Sequence, residues 1–173
     1  MFNLNLGDLT AQQFLASYWQ TKPRVFRQGF ANFVDPVSAD ELAGLACDEM
    51  VESRLVWQKG GHWNAEFGPF QSYEHLGEKD WSLIVQAVDY WSPQAAKIID
   101  PFRFIPNWRL DDLMVSFACK GGSVGPHIDH YDVFICQGSG KRHWRVGDRG
   151  ELEEYAAHEA LLHVEPFEAI IDT

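Results

Sequence analysis

Two side chains able to hold a metal stand two positions apart in the run Lys120-Gly121-Gly122-Ser123-Val124-Gly125-Pro126-His127-Ile128-Asp129-His130-Tyr131-Asp132-Val133-Phe134. The run reads as a glycine-rich loop feeding a strand. On a strand, residues i and i+2 point to the same face, so His127 and Asp129 project together while Ile128 turns away. An imidazole and a carboxylate on one pleat are two of the three groups in the 2-His-1-carboxylate arrangement that holds non-haem Fe(II). Taken alone, His-x-Asp also fits a surface pair opening an ordinary strand. Tyr131 shares the face of His127 and Asp129 and reads as a wall of such a site; His130 faces away.

Two neighbouring stretches must be placed around that pair. Asp111 to Cys119 reads as a strand with Asp112, Met114 and Ser116 on one face and Asp111, Leu113 and Val115 on the other. Lys141 to Val146 is expected to return antiparallel after the turn Gly138-Ser139-Gly140, with Arg142 and Trp144 on one face and His143 on the other. Arg142 could equally be one cation of a solvated Lys-Arg-His-Trp-Arg strand. His62 and His75 lie in turn-like surroundings with no chemical role expected.

Upstream, Thr10 is a plausible N-cap for a helix to Trp19, with Phe14, Leu15, Tyr18 and Trp19 at helical spacing. Arg24 to Gln28 reads as a strand. Ser38 followed by Glu41 is a capping-box pattern. Leu55–Lys59, Gly60-Gly61 and His62–Phe67 form a hairpin signal around a two-glycine turn. The spacing of Trp81, Ile84, Val85 and Val88 predicts a helix over Asp80–Trp91. Further short strands are expected at Leu161–Val164 and Phe167–Ile171, with Glu151–Val164 otherwise a connection. Helices followed by strands with glycine turns point to a mostly β fold with N-terminal helices, an α+β barrel decorated by a helical layer. Residues 1–109 form that layer and 110–173 the first part of the barrel, within a single domain.

The totals narrow the function classes. A chain of 173 residues is long enough for one cored domain. Its 46% hydrophobic share, seven Trp and twelve Phe argue against disorder. A formal charge of −11 argues against direct contact with nucleic acid and suits a basic protein partner or plain solubility. The three cysteines, Cys47, Cys119 and Cys136, have no C-x-x-C spacing and suggest neither a disulfide framework nor a zinc knuckle. Without a basic, apolar leader or an apolar run near ~20 residues, no signal peptide or membrane span is expected, and the cytoplasm is the expected compartment.

A wider pattern surrounds the pair. Gly121, His127-x-Asp129 and glycines 138 and 140 resemble the first cupin motif in its Jumonji-C variant. The text around it is more specific: Asp35-Pro36, Asp40-Glu41-Leu42-Ala43, Gly68-Pro69-Phe70, His75-Leu76-Gly77, Asp80-Trp81-Ser82-Leu83, Asp111-Asp112-Leu113-Met114, Gly125-Pro126-His127-Ile128-Asp129, Tyr131-Asp132-Val133-Phe134 and Arg145-Val146-Gly147. Together these resemble the bacterial ribosomal oxygenases, Jumonji-C proteins of the cupin-4 group, over nearly the whole chain but only the front of the family's length.

The resemblance implies a double-stranded β-helix, here incomplete at the C-terminus, and an enzyme that uses Fe(II), O2 and 2-oxoglutarate to hydroxylate an arginine of a large-subunit ribosomal protein. It assigns iron to His127 and Asp129, and the distal carboxylate of 2-oxoglutarate to Arg142, whose guanidinium can grip it bidentately. Asp112, with Met114, Ser116 and Tyr131, would then meet the substrate guanidinium; a charged strand entrance leading into core is the alternative for Asp112. No membrane or direct nucleic-acid contact is implied, and the full-length family member is expected to be a homodimer through a segment beyond this chain.

The family's second histidine lies well downstream of the first two ligands, in a segment that would begin after Thr173. His158 and His163 lie in the connection Glu151–Val164 and do not resemble its setting. The expectation is therefore a fragment with little or no activity of its own. Two other classes stay open: a non-catalytic cupin-like module binding a basic protein, and a cupin isomerase or dioxygenase without 2-oxoglutarate.

Overall fold

The computed structural model describes residues 2–125, 127, 129, 131–146, 150–156, 159–164 and 167–172, with side chains up to residue 146 apart from Arg145. In chain order the elements are α1 (Ala11–Ser17), α2 (Ala39–Leu45), β1 (Ser53–Lys59), β2 (His62–Phe67), β3 (Trp81–Val85), α3 (Val88–Trp91), α4 (Pro93–Ala96), 3-10 turns at Asp100–Phe102 and Asn107–Arg109, β4 (Val115–Ala118), β5 (Lys141–Val146), β6 (Gly150–Ala156), β7 (Glu159–Val164) and β8 (Phe167–Asp172). They form two compact units, residues 36–125 and residues 2–35 with 126–173. Every strand pair is antiparallel.

The 36–125 unit is one sheet in the order β2-β1-β3-β4 with short helices. Ser38 caps α2 by accepting from the Glu41 N–H at 3.2 Å, while the Glu41 carboxylate accepts from the Ser38 N–H at 2.8 Å, the capping box its sequence predicts. The β1–β2 hairpin closes through Gly60-Gly61, whose φ of +61° and +83° is the left-handed conformation a tight hairpin requires at both centres. Leu42, Ala46, Val51, Leu55, Phe70, Leu83, Val85, Val88 and Ala95 make the core.

The helix expected over Asp80–Trp91 is instead β3 followed by the single turn α3. β3 lies between β1 and β4, and Ser82, Leu83, Ile84 and Val85 are all buried. A central strand covered on both faces has no polar face, so its apolar run matches helical and extended spacing alike. The strand expected from Asp111 is confined to Val115–Ala118 and pairs with β3, so it belongs to this sheet and not with the later strands.

In the other unit, Thr10 caps α1 and forms a capping box with Gln13. No strand forms at Arg24–Gln28. Its residues are held by side chains: the Arg24 guanidinium donates to the Tyr18 hydroxyl at 2.9 Å and lies 4.9 Å from its ring, and Phe26 packs edge-on against Phe14.

The stretch 127–137 likewise has no ladder among its described residues. Its described residues are clasped at intervals. Phe134 stacks on Trp19 with centroids 5.3 Å apart and contacts Phe14. The Gln20 amide donates to the Asp132 carboxylate at 2.9 Å. The Ser139 N–H and hydroxyl both donate to the Asp35 carboxylate. Among the described residues β5 does not return against this stretch. It pairs with β8 in the register Arg142↔Ile171, and β6, expected as a connection, forms a hairpin with β7. Strand partners are chosen by tertiary contacts distant in sequence, which local alternation cannot reveal.

Candidate metal centre

His127 and Asp129 do lie side by side. His127 Nε2 stands 3.8 Å from Asp129 Oδ2. Ligand atoms bonded at about 2.0–2.2 Å to one ion can be no more than about 4.4 Å apart, so this pair fits a shared cation. Their side chains are 48% and 35% exposed, which leaves both donors reachable from solvent. Among the described residues no third His, Cys, Asp or Glu joins them. His130 and His158 lie outside the described residues, as does the side chain of His163.

Arg142 belongs to the same unit as the pair. It is partly buried, its guanidinium lies 5.4 Å from the Trp144 ring centroid, and burial lowers its pKa from the usual guanidinium value. A guanidinium titrates so far above neutrality that it stays charged. Among the described residues no carboxylate pairs with it. The Trp144 indole N–H in turn reaches Gln137 Oε1 at 3.5 Å. A partly desolvated, unneutralised guanidinium braced on a ring is suited to receiving an anion.

Tyr131 is 66% exposed. In the 36–125 unit, Met114 and Ser116 are exposed and Asp112 is half-buried. Asp112 Oδ2 accepts from the Ala87 N–H at 2.7 Å and from the Gln86 side-chain amide at 2.9 Å. Asp89 mirrors this by accepting from the Leu113 N–H at 2.9 Å. The involvement of Gln86 gave no sequence signal, since residues 86 and 87 read as helix interior. Gly125, at φ +78°, abuts the Trp63 ring, where an added Cβ would come within 2.8 Å of the indole.

A sequence model of the JmjC domain matches residues 97–173. The ribosomal protein uL16 3-hydroxylase of Escherichia coli is 55% identical over 159 residues, covering 92% of this chain and 43% of the relative. Over residues 97–173 this chain resembles a JmjC domain. The X-ray structure of Escherichia coli ycfD superposes with a TM-score of 0.87 at 50% identity over 99% of this chain and 45% of that one. The Escherichia coli ribosomal oxygenase YcfD in complex with cobalt and 2-oxoglutarate gives 0.84 at 48% identity over the same shares. The chain thus spans less than half the length of these Jumonji-C relatives. Within the described residues no helix is long and apolar enough to cross a membrane.

Proposed function

We propose that the protein carrying this chain is an Fe(II)- and 2-oxoglutarate-dependent oxygenase that hydroxylates an arginine side chain of a large-subunit ribosomal protein. The observation that carries this is the 3.8 Å pairing of His127 and Asp129 in the same unit as a partly buried guanidinium with no acid partner among the described residues. The cobalt and 2-oxoglutarate complex of a relative at 48% identity supports the same reading. So does the acidic balance of −11, which favours a basic protein substrate.

The bound metal would supply O2 activation, with 2-oxoglutarate leaving as succinate and CO2, one oxygen entering succinate and the other the side chain. The residues of this chain bind and orient. His127 would donate its Nε2 and Asp129 its Oδ2 to the ion. Arg142 would take the distal carboxylate of the keto acid and fix its reach. Asp112 would accept from the substrate guanidinium, with Met114 and Ser116 beside it in the same unit, and Tyr131 would wall the metal pair.

The test is hydroxylation of an arginine-bearing peptide from the ribosomal substrate by the protein that carries this chain, read as the gain of one oxygen by mass. His127→Ala and Asp129→Asn are expected to abolish it and to remove site-specific Mn(II) uptake in calorimetry. Unchanged turnover would overturn the metal assignment. Absence of Mn(II) uptake by the unsubstituted protein would favour a non-catalytic binding module, and turnover without 2-oxoglutarate would favour a cupin dioxygenase. Residues 1–173 alone, with two donors among the described residues, are expected to form no succinate. Metal- and 2-oxoglutarate-dependent succinate from that chain would refute this.

A further inference from the structure

We infer that Gln86 is a positioning residue for the substrate guanidinium, acting through the Asp112 carboxylate. This rests on the proposed role of Asp112 as acceptor of the substrate side chain. Asp112 Oδ2 takes two hydrogen bonds, from the Gln86 amide at 2.9 Å and from the Ala87 N–H at 2.7 Å. Among the described residues neither reaches Oδ1, which is left for another donor.

The backbone around Gln86 is arranged for this contact. Its own N–H is anchored on the Glu52 carbonyl at 2.9 Å, at the end of the β1–β3 pairing. The next residue, Ala87, sits at φ +52°, a left-handed conformation that is strained for a non-glycine residue. That turn is what presents the Ala87 N–H to the carboxylate. Val88 N–H meanwhile donates to the Leu113 carbonyl at 2.9 Å, and Asp89 takes the Leu113 N–H. Residues 112 and 113 are therefore fixed at three of their polar groups by 86–89.

The chemistry of the donor matters. A lysine or arginine at 86 would orient the carboxylate but cancel the charge that a substrate guanidinium seeks. A neutral amide orients one oxygen and keeps the full negative charge. A half-buried carboxylate locked this way also loses less rotamer freedom when a fork-shaped cation arrives.

The experiment uses the protein that carries this chain and an arginine-bearing peptide of the ribosomal substrate. Gln86→Leu is expected to raise the peptide KM by about tenfold. The KM for 2-oxoglutarate and the peptide-free decarboxylation of 2-oxoglutarate should not move. In the Asp112→Asn background the same change should add nothing, because both act through one carboxylate. An unchanged peptide KM in Gln86→Leu overturns the inference, as does a parallel fall in every parameter, which marks a merely structural residue. If Asp112→Asn leaves the peptide KM unchanged, the role of Asp112 fails and the inference falls with it, while 2-oxoglutarate dependence stands. Gln86→Met, unbranched and of equal length, serves if the leucine variant does not fold.

Discussion

The unit of residues 36–125 and the unit that contains His127, Asp129 and Arg142 are held together by different means. The first has a four-stranded ladder and a core in which Leu55, Leu83 and Val85 are almost fully enclosed. In the second, the stretch carrying the candidate ligands has no ladder among its described residues. It is clasped by ring stacking on Trp19, by Gln20 and by Asp35. A ladder distributes its cost over many bonds, whereas a clasp concentrates it on a few side chains. The comparison teaches that the scaffold should be sensitive to volume and the ligand-bearing stretch to single polar and aromatic contacts.

Substitutions can break or sharpen this contrast. The largest effect is expected at Leu83, 2% exposed between its strand neighbours. Leu83→Ala should lower stability by about 2–5 kcal/mol in denaturant titration, as large-to-small core changes do; a cost below about 1 kcal/mol would show that the sheet core is not the scaffold's main support. Arg142→Met comes next, on function rather than stability. It should raise the KM for 2-oxoglutarate by about thirtyfold or more, the scale of removing one partner of a hydrogen-bonded charge pair. Equal KM values would release Arg142 from that role.

Asp35→Ala removes the acceptor for both Ser139 donors. A loss of about 1 kcal/mol is expected, together with weaker Mn(II) binding. If the full chain binds Mn(II) unchanged, the clasp does not organise the ligand stretch. The smallest effect belongs to Ser82, whose hydroxyl is fully buried with no hydrogen-bond partner among the described residues. Ser82→Ala should be neutral or stabilising by up to about 1 kcal/mol, because it removes an unsatisfied polar group. A clear drop in melting temperature would mean the hydroxyl has a partner after all.

Features set by local chemistry were legible in the amino-acid order. The Thr10 cap, Ser38 with Glu41 and the Gly60-Gly61 turn each act within a few residues, and each forms where its pattern says. β3 was not legible, because Trp-Ser-Leu-Ile-Val is a short apolar run whose state is decided by having β1 and β4 on either side. The acidic β6 was missed for a related reason: its pairing with β7 supplies what its own composition does not suggest. The strand that the glycine-rich loop was expected to feed does not form among the described residues, yet His127 and Asp129 still lie together. The oxygen of Asp112 held by Gln86 and Ala87 could not be foreseen, as it depends on a left-handed residue in a segment whose spacing looked helical.

The indole of Trp63 fills the space a side chain at position 125 would need. These two positions are thus bound to a common evolutionary fate. Lineages that keep a bulky ring at 63 should retain glycine at 125, and any lineage that admits even a methyl there should first have shrunk its partner.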